Sequence, residues 1–138
     1  MNKITLYLLL LTTMLFTACD NTEILITDLE GSWIVNEVGG NYDGYAYEVT
    51  VTVDPNNSSR ILIANFLNTA NDPETTIQNY MLQVRVEGNR LIVDPQQVDV
   101  IEVKNSSGVV SDKDQFRLDY SYSMDNGSYT ATAYFIRK

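Results

Sequence analysis

Apolar and polar residues alternate with period two along most of this chain, and that alternation predicts strands rather than helices. The cleanest case runs from Tyr45 to Asp54. Tyr45, Tyr47, Val49, Val51 and Val53 share one face, while Ala46, Glu48, Thr50, Thr52 and Asp54 share the other. Before it, Gly31 to Val38 predicts a first strand, and Gly39, Gly40, Asn41, Asp43 and Gly44 supply the loop between them. After it, Arg60 to Phe66 predicts a third, more uniformly apolar strand, and Leu67 to Thr76 a long polar connection. Ile77 to Glu87 and Arg90 to Asp94 flank Gly88-Asn89 as a hairpin in which Val86 faces Leu91 and Val84 faces Val93. Gln97 to Val103 predicts a sixth strand whose apolar phase slips between Val100 and Ile101, the mark of a bulge. Lys104 to Asp114 reads as a polar loop carrying Gly108. The last hairpin alternates Phe116, Leu118, Tyr120, Tyr122 and Met124 with polar partners, and Asn126-Gly127 predicts its two-residue turn. In that register Met124 faces Tyr129, Tyr122 faces Ala131, Tyr120 faces Ala133 and Leu118 faces Phe135.

Eight strands follow, with no convincing helix. The expected fold is all-β, an antiparallel meander closed as an up-and-down barrel, since closure leaves no long unpaired edge. A two-sheet β-sandwich is the alternative that the same pattern allows.

The amino-terminal stretch has a different pattern. Lys3 leads an uncharged run from Ile4 to Ala18 that is nearly pure leucine from Leu6 to Leu11. The run is short of the roughly 20 residues that a spanning helix needs, and a basic start, an apolar middle and a small residue before a cut describe a secretory signal. Residues 1–18 are therefore expected to be a signal peptide, residues 19–29 a tether and residues 30–138 a single β domain. The apolar triplet Ile24-Leu25-Ile26 within the tether has the composition to pack on that domain.

Charge and composition narrow the function. The chain has 138 residues and a formal net charge of −9, and losing residues 1–18 removes one base and no acid, which moves the charge to −10. An acidic surface is the wrong partner for nucleic acid, whose phosphates require clustered Lys and Arg. Cys19 is the single cysteine, so there is neither a disulfide framework nor a cysteine zinc site. Histidine is absent altogether, which removes Ser-His-Asp and Cys-His hydrolysis and His-ligated metals. No catalytic constellation, metal site or cofactor is expected. Asp94, Asp99, Asp112 and Asp114 lack the dense oxygen spacing of a calcium loop and read as solvated loop acids.

Two resemblances add to this. Phe16-Thr17-Ala18-Cys19 resembles the lipobox of bacterial lipoproteins, with Ala18 fitting the small position before the cut and Phe16 departing from the usual leucine. The resemblance implies a diacylglyceryl thioether on Cys19, cleavage before it and acylation of the new amino terminus, hence a membrane attachment stronger than a single chain gives. The readings beside it are a plain signal peptide with a fortuitous cysteine and an uncleaved anchor. Gly31-Ser32-Trp33 on a first barrel strand, with Arg137 late in the last, resembles the calycin group of lipocalins and fatty-acid-binding proteins. It implies that Trp33 and Arg137 close one barrel end and are structural. Together with Ile63-Ala64-Asn65-Phe66, Gly88-Asn89-Arg90-Leu91 and the Tyr-rich hairpin, the pattern is similar to small calycin-like envelope lipoproteins labelled lipid-binding hydrolases. A location at the outer membrane of the bacterial envelope is what that likeness implies.

Tyr45, Tyr47, Tyr120, Tyr122 and Tyr129 fall on inward positions and are the candidate lining of a ligand cavity. The same tyrosines also suit a filled core with hydroxyls at the barrel ends. The expected function is thus a lipid-anchored, non-catalytic barrel holding a small apolar or amphipathic ligand. A solid accessory barrel docking an envelope protein partner is the alternative.

Overall fold

Ten strands make up a computed structural model of the chain that describes residues 23–70, 80–125 and 127–138. They are β1 (Gly31–Gly39), β2 (Ala46–Asp54), β3 (Asn57–Ala64), β4 (Met81–Glu87), β5 (Arg90–Val93), β6 (Gln96–Val98), β7 (Ile101–Val103), β8 (Ser106–Asp112), β9 (Gln115–Met124) and β10 (Gly127–Arg137). Every described pairing is antiparallel. The order β10-β1-β2-β3-β4-β5-β8-β9 returns to β10 through the β9–β10 pair, so the sheet is a closed barrel of eight strands with β6 and β7 in addition. The barrel is the expected architecture, and closure excludes the sandwich. The signal segment and Cys19 lie outside the described residues.

The two additional strands continue their neighbours. Arg90 pairs with Val109 and Val93 with Ser106, and the same register resumes where Gln96 pairs with Val103 and Val98 with Ile101. The stretch 90–109 is therefore one long hairpin, interrupted at Asp94-Pro95 on one arm and at Lys104-Asn105 on the other. Proline lacks the N–H that a ladder needs, which accounts for the first break. Two sequence expectations are corrected here. The slip between Val100 and Ile101 is the tip of this hairpin, with Asp99 at φ 53°, and not a bulge. Residues 104–114 are largely the strand β8, paired along β9, and not a loop. Beside the broken arm, the Gln96 side-chain amide accepts the Gln83 N–H at 2.7 Å and donates to the Gln83 carbonyl at 2.8 Å, standing in for a ladder rung between β6 and β4.

The final hairpin is also corrected. Tyr129 pairs with Tyr122, Ala131 with Tyr120, Ala133 with Leu118 and Phe135 with Phe116, so the register lies two residues from that expected of an Asn126-Gly127 turn. Asp125 takes the left-handed conformation at φ 54°. A two-residue shift keeps every side chain on its own face, but it sets large against large. Phe116 stacks on Phe135 with centroids 4.1 Å apart, and Tyr122 on Tyr129 at 5.2 Å.

The core fills the barrel from its Trp33 end. Leu29, Trp33, Val35, Val49, Val51, Ile61, Ile63, Leu82, Val84, Leu91, Val93, Leu118 and Ala133 are fully or almost fully buried. The packed chain starts earlier than residue 30. Residues Ile26–Leu29 form a 3-10 turn, Leu29 is wholly buried, and Ile24 and Ile26 pack against the core. The Trp33 indole N–H donates to the Leu29 carbonyl at 2.9 Å, which ties that turn across the barrel end.

Candidate functional site

The two barrel ends differ in chemistry. At the first, the Arg137 guanidinium lies 4.3 Å over the Trp33 ring, and the two residues are cross-strand partners in β10 and β1. Arg137 spends its donors on backbone carbonyls: Nη1 reaches Glu30 at 2.9 Å, Nη2 reaches Lys113 at 2.6 Å and also Asp28, and Nε meets the Asp114 carboxylate at 3.1 Å. Its fork thus sews the chain before β1 to the β8–β9 turn. Phe116 packs edge-on against Trp33, with centroids 4.7 Å apart. This end is closed by packing.

The second end holds a buried acid. Glu37 follows Trp33 and Val35 at two-residue spacing on β1, so the pleat turns it into the barrel, where it is 2% exposed. Its Oε1 accepts the Tyr47 hydroxyl at 2.7 Å and its Oε2 accepts the Tyr120 hydroxyl at 2.8 Å. Small residues leave room for the phenols: Ala133 sits opposite Glu37, and Ala131 opposite Tyr120. Tyr47 Oη in turn accepts the Leu67 N–H at 3.1 Å, which secures the left-handed turn at residues 65–68. Burial pushes the Glu37 carboxyl up from its ordinary range, and the two phenol hydrogen bonds only partly oppose that. Burial and the neighbouring carboxylate push both Tyr47 and Tyr120 upward, so they stay protonated and act as donors.

Over this end lies the loop between β1 and β2. Residues Gly40–Tyr42 form a 3-10 turn, and the Asn41 N–H donates to Tyr122 Oη at 2.9 Å. Gly40 adopts φ 71°, and a Cβ there would stand 2.9 Å from Tyr122 Oη, so only glycine lets the loop approach so closely. Tyr42 reaches Met124, its hydroxyl 3.9 Å from the sulfur. Below the loop, the rings of Phe66, Tyr120, Tyr122 and Tyr129 follow one another at centroid spacings of 5.1, 5.5 and 5.2 Å.

Of the five candidate cavity tyrosines, the structure brings four together here. Tyr47, Tyr120 and Tyr122 are buried and Tyr129 packs partly buried beside them. Tyr45 is a correction: it is 64% exposed and lies outside the barrel against Tyr42. Strand β2 starts only at Ala46, and the turn at Gly44, φ 78°, swings the preceding residue outward while the loop covers the barrel end. Glu37 is the buried acid that the sequence reading passed over. Its shared parity with Trp33 and Val35 was the available signal. No group of three or more potential metal-ligating side chains occurs among the described residues.

A separate concavity of about 460 Å³ lies on the outside of the wall, over β8, β9, β10 and β1. Val109, Arg117, Tyr134 and Ile136 edge it, with Tyr134 and Ile136 both substantially exposed.

No protein-family model matches the chain, and no curated protein matches it by sequence. Among solved structures it is similar to EF1p2_mFAP2b bound to DFHBI, with a TM-score of 0.50 and 15% identity over 81% of this chain and 95% of that one. A redesigned β-barrel, b11L5F_LGL, aligns with a TM-score of 0.49 and 15% identity over 81% of this chain and 93% of that one. A protein of the DUF3598 family from Nostoc punctiforme aligns at 0.45 and 15% identity over 84% of this chain and half of that one. The first of these likenesses is one of fold: a β-barrel.

Proposed function

We propose that this protein is a non-catalytic binding barrel, tethered to the cell envelope at the outer membrane by lipid on Cys19, that holds a small amphipathic ligand at the Glu37 end of its interior. The observation that carries the proposal is the Glu37 carboxylate with its two phenol partners. A barrel that serves only as a scaffold gains nothing from a desolvated acid, since apolar residues of similar volume are generally as stable or more so. Binding sites, by contrast, combine apolar and aromatic walls with a few convergent polar groups. The loop over that end is fastened by the Asn41–Tyr122 hydrogen bond and by Tyr42 against Met124, and its opening would give a route of entry. The structural neighbour bound to DFHBI supports the capacity of such a barrel to take a ligand. The anchor rests on the lipobox-like residues before Cys19, and the calycin likeness rests on Gly31, Trp33 and Arg137.

Native mass spectrometry of the full-chain Cys19→Ala protein tests the binding function. A co-purifying small mass, lost when Tyr120 and Tyr122 are both replaced by Trp, is the expected result; a protein free of any bound mass in every preparation counts against it. Metabolic labelling with a fatty acid tests the anchor, with label expected in the wild type and absent from Cys19→Ala.

A second reading has one observation in its favour. The outer concavity carries Tyr134 and Ile136 on β10, and Val38 is exposed close by on β1, an apolar strip of the kind that contacts another protein. Under that reading the barrel is solid and docks an envelope protein partner, and pull-down from crosslinked cells would be abolished by Tyr134→Asp.

A further inference from the structure

We infer that the hollow on the outer wall of the barrel is a second ligand site, for a small acid that joins an aromatic ring to a carboxylate, with Arg117 receiving the carboxylate. The inference concerns a different face from the Glu37 end and does not depend on ligand binding there.

Strand register builds the site. Asn36, Tyr134, Arg117 and Val109 form one continuous cross-strand row over β1, β10, β9 and β8, and Ile136 and Gln115 form the row beside it. All six line the concavity of about 460 Å³. On β9 and β10 they alternate with the inward Phe116, Leu118 and Phe135, so the pleat turns them outward. The volume falls within the range of small-molecule sites, about 300–1,000 Å³.

Charge chooses the ligand. The chain carries 18 acids against 9 bases, yet the hollow is lined by one base, Arg117, and by no acid among the described residues. That base is also oriented. Its Nε stands 3.2 Å from Asp119 Oδ2, and Asp119 Oδ1 accepts the Thr132 hydroxyl at 2.8 Å, which holds the acid from its other side. Nη1 and Nη2 of Arg117 have no hydrogen-bond partner among the described residues. A guanidinium is charged at every relevant pH, and its two terminal nitrogens present parallel donors that match the oxygens of a carboxylate. A neutral group gains less from that edge, and an amine is repelled by it.

The walls supply the rest of the description. Tyr134 and Ile136 are exposed and Val109 is half-buried, so three apolar side chains border the hollow beside the guanidinium. An aromatic side chain accommodates a flat apolar body. Partners on adjacent strands stand about 4.5–5.5 Å apart, so a ring against Tyr134 reaches the Arg117 fork through an arm of two or three carbons. Thr132 and Asp119 form the next row on β10 and β9 and end the apolar border there. One small molecule fits that outline better than a protein surface does.

Amide NMR titration of the full-chain Cys19→Ala protein with phenylpropanoate, phenylpropanamide and phenethylamine reads both affinity and place. Saturable shifts at Arg117, Tyr134 and Val109 are expected with phenylpropanoate, with the amide binding about three- to fivefold more weakly and the amine not at all. Arg117→Gln is expected to bring acid and amide to within about twofold of each other, and Tyr134→Ala to weaken both. Equal binding of acid and amide by the wild type overturns the inference, and that comparison requires no variant to fold. Shifts confined to Tyr47, Leu67 and Tyr120 also overturn it and place the ligand in the interior instead. Absence of shifts with all three probes overturns it while leaving the interior site untouched. Acetyl-alanyl-alanyl-phenylalanine separates a free acid from a chain end: binding more than about tenfold tighter than that of phenylpropanoate would assign the hollow to the carboxyl terminus of a protein partner and overturn the small acid as occupant.

Discussion

Tyr47 and Glu37 are joined by a 2.7 Å hydrogen bond between adjacent strands, inside a barrel whose remaining core at that level is apolar or aromatic. The burial of Glu37, which this bond only partly offsets, makes stability depend on pH in a definite direction. Burial raises the Glu37 carboxyl above its value of 4.5 in the unfolded chain. Between the unfolded and folded values the native state therefore binds more proton than the unfolded one, and stability falls as pH rises through that window. The contribution is complete below the unfolded value and lost above the folded one. Glu37→Gln removes the titration. Thermal unfolding of the two proteins from acid to neutral pH should show the melting temperature of the variant gaining on the wild type as pH rises. A constant difference across that range would mean that Glu37 is not desolvated.

Removing the phenols one at a time should have unequal effects. Tyr120→Phe takes one hydrogen bond from Glu37, whereas Tyr47→Phe takes one from Glu37 and also strips the Leu67 N–H of its acceptor. A hydrogen bond to a charged group contributes about 1.5–3 kcal/mol, and a buried donor left alone costs a further 1–3 kcal/mol or so. Urea unfolding should therefore rank Tyr47→Phe below Tyr120→Phe by roughly 1–3 kcal/mol. Equal midpoints would deny Tyr47 its second role.

These two residues also show what the sequence makes legible. Period-two parity places Trp33, Val35 and Glu37 on one face of β1 and Tyr120 and Tyr122 on one face of β9, because the pleat alternates whatever the partner strand is. The inward position of Glu37 was thus readable. Its meaning was not, since its partners lie 10 and 83 residues away and only barrel closure brings them to it. Register is illegible for a related reason. A shift of two residues preserves every facing, so alternation alone cannot choose between the observed register, with Gly127 opposite Met124, and that of an Asn126-Gly127 turn. Cross-strand stacking of Phe116 on Phe135 and Tyr122 on Tyr129 favours the first. Tyr45 fails for the opposite reason, because alternation was extended one residue past the strand into a turn that Gly44 bends outward.

Gly108 marks a strand where composition suggested a loop. Leu118 pairs with it across β8 and β9, and a Cβ at residue 108 would lie 2.1 Å from the Arg117 carbonyl oxygen and 2.6 Å from Leu118 Cδ2. Backbone cannot yield at that distance without breaking the ladder. Gly108→Ala should destabilise the barrel by about 3 kcal/mol or more, beyond the usual cost of overpacking. Chemical denaturation measures it, and a loss below about 1 kcal/mol would be too small for such a clash.

At the closed end, Arg137 should tolerate no conservative exchange. Its planar fork serves the Glu30, Asp28 and Lys113 carbonyls while its face covers Trp33. Lysine keeps the charge and loses the fork. Arg137→Lys is expected to cost about 1–3 kcal/mol, from two or more hydrogen bonds to a charged donor and part of the cation–π contact. Tryptophan fluorescence should shift to the red as water reaches Trp33. An unchanged emission and melting temperature would make the fork dispensable.

The loop over the opposite end provides the most local test. Asn41 donates its backbone N–H to Tyr122 Oη, a contact between residues 81 positions apart that fastens the Gly40–Tyr42 turn to the barrel. Tyr122→Phe keeps the ring and its stacking on Tyr120 and Tyr129 but deletes that acceptor. A net hydrogen-bond contribution near 1 kcal/mol corresponds to about a fivefold change in a local opening equilibrium. Amide hydrogen exchange should therefore quicken about fivefold at Asn41 while the amides of Val35 and Val49, deep in the sheet, keep their rates. Faster exchange throughout the barrel would mean that the hydroxyl supports the whole fold rather than the loop. Unchanged exchange at Asn41 would mean that the loop is held by the packing of Tyr42 on Met124, and the entry route would have to be sought elsewhere.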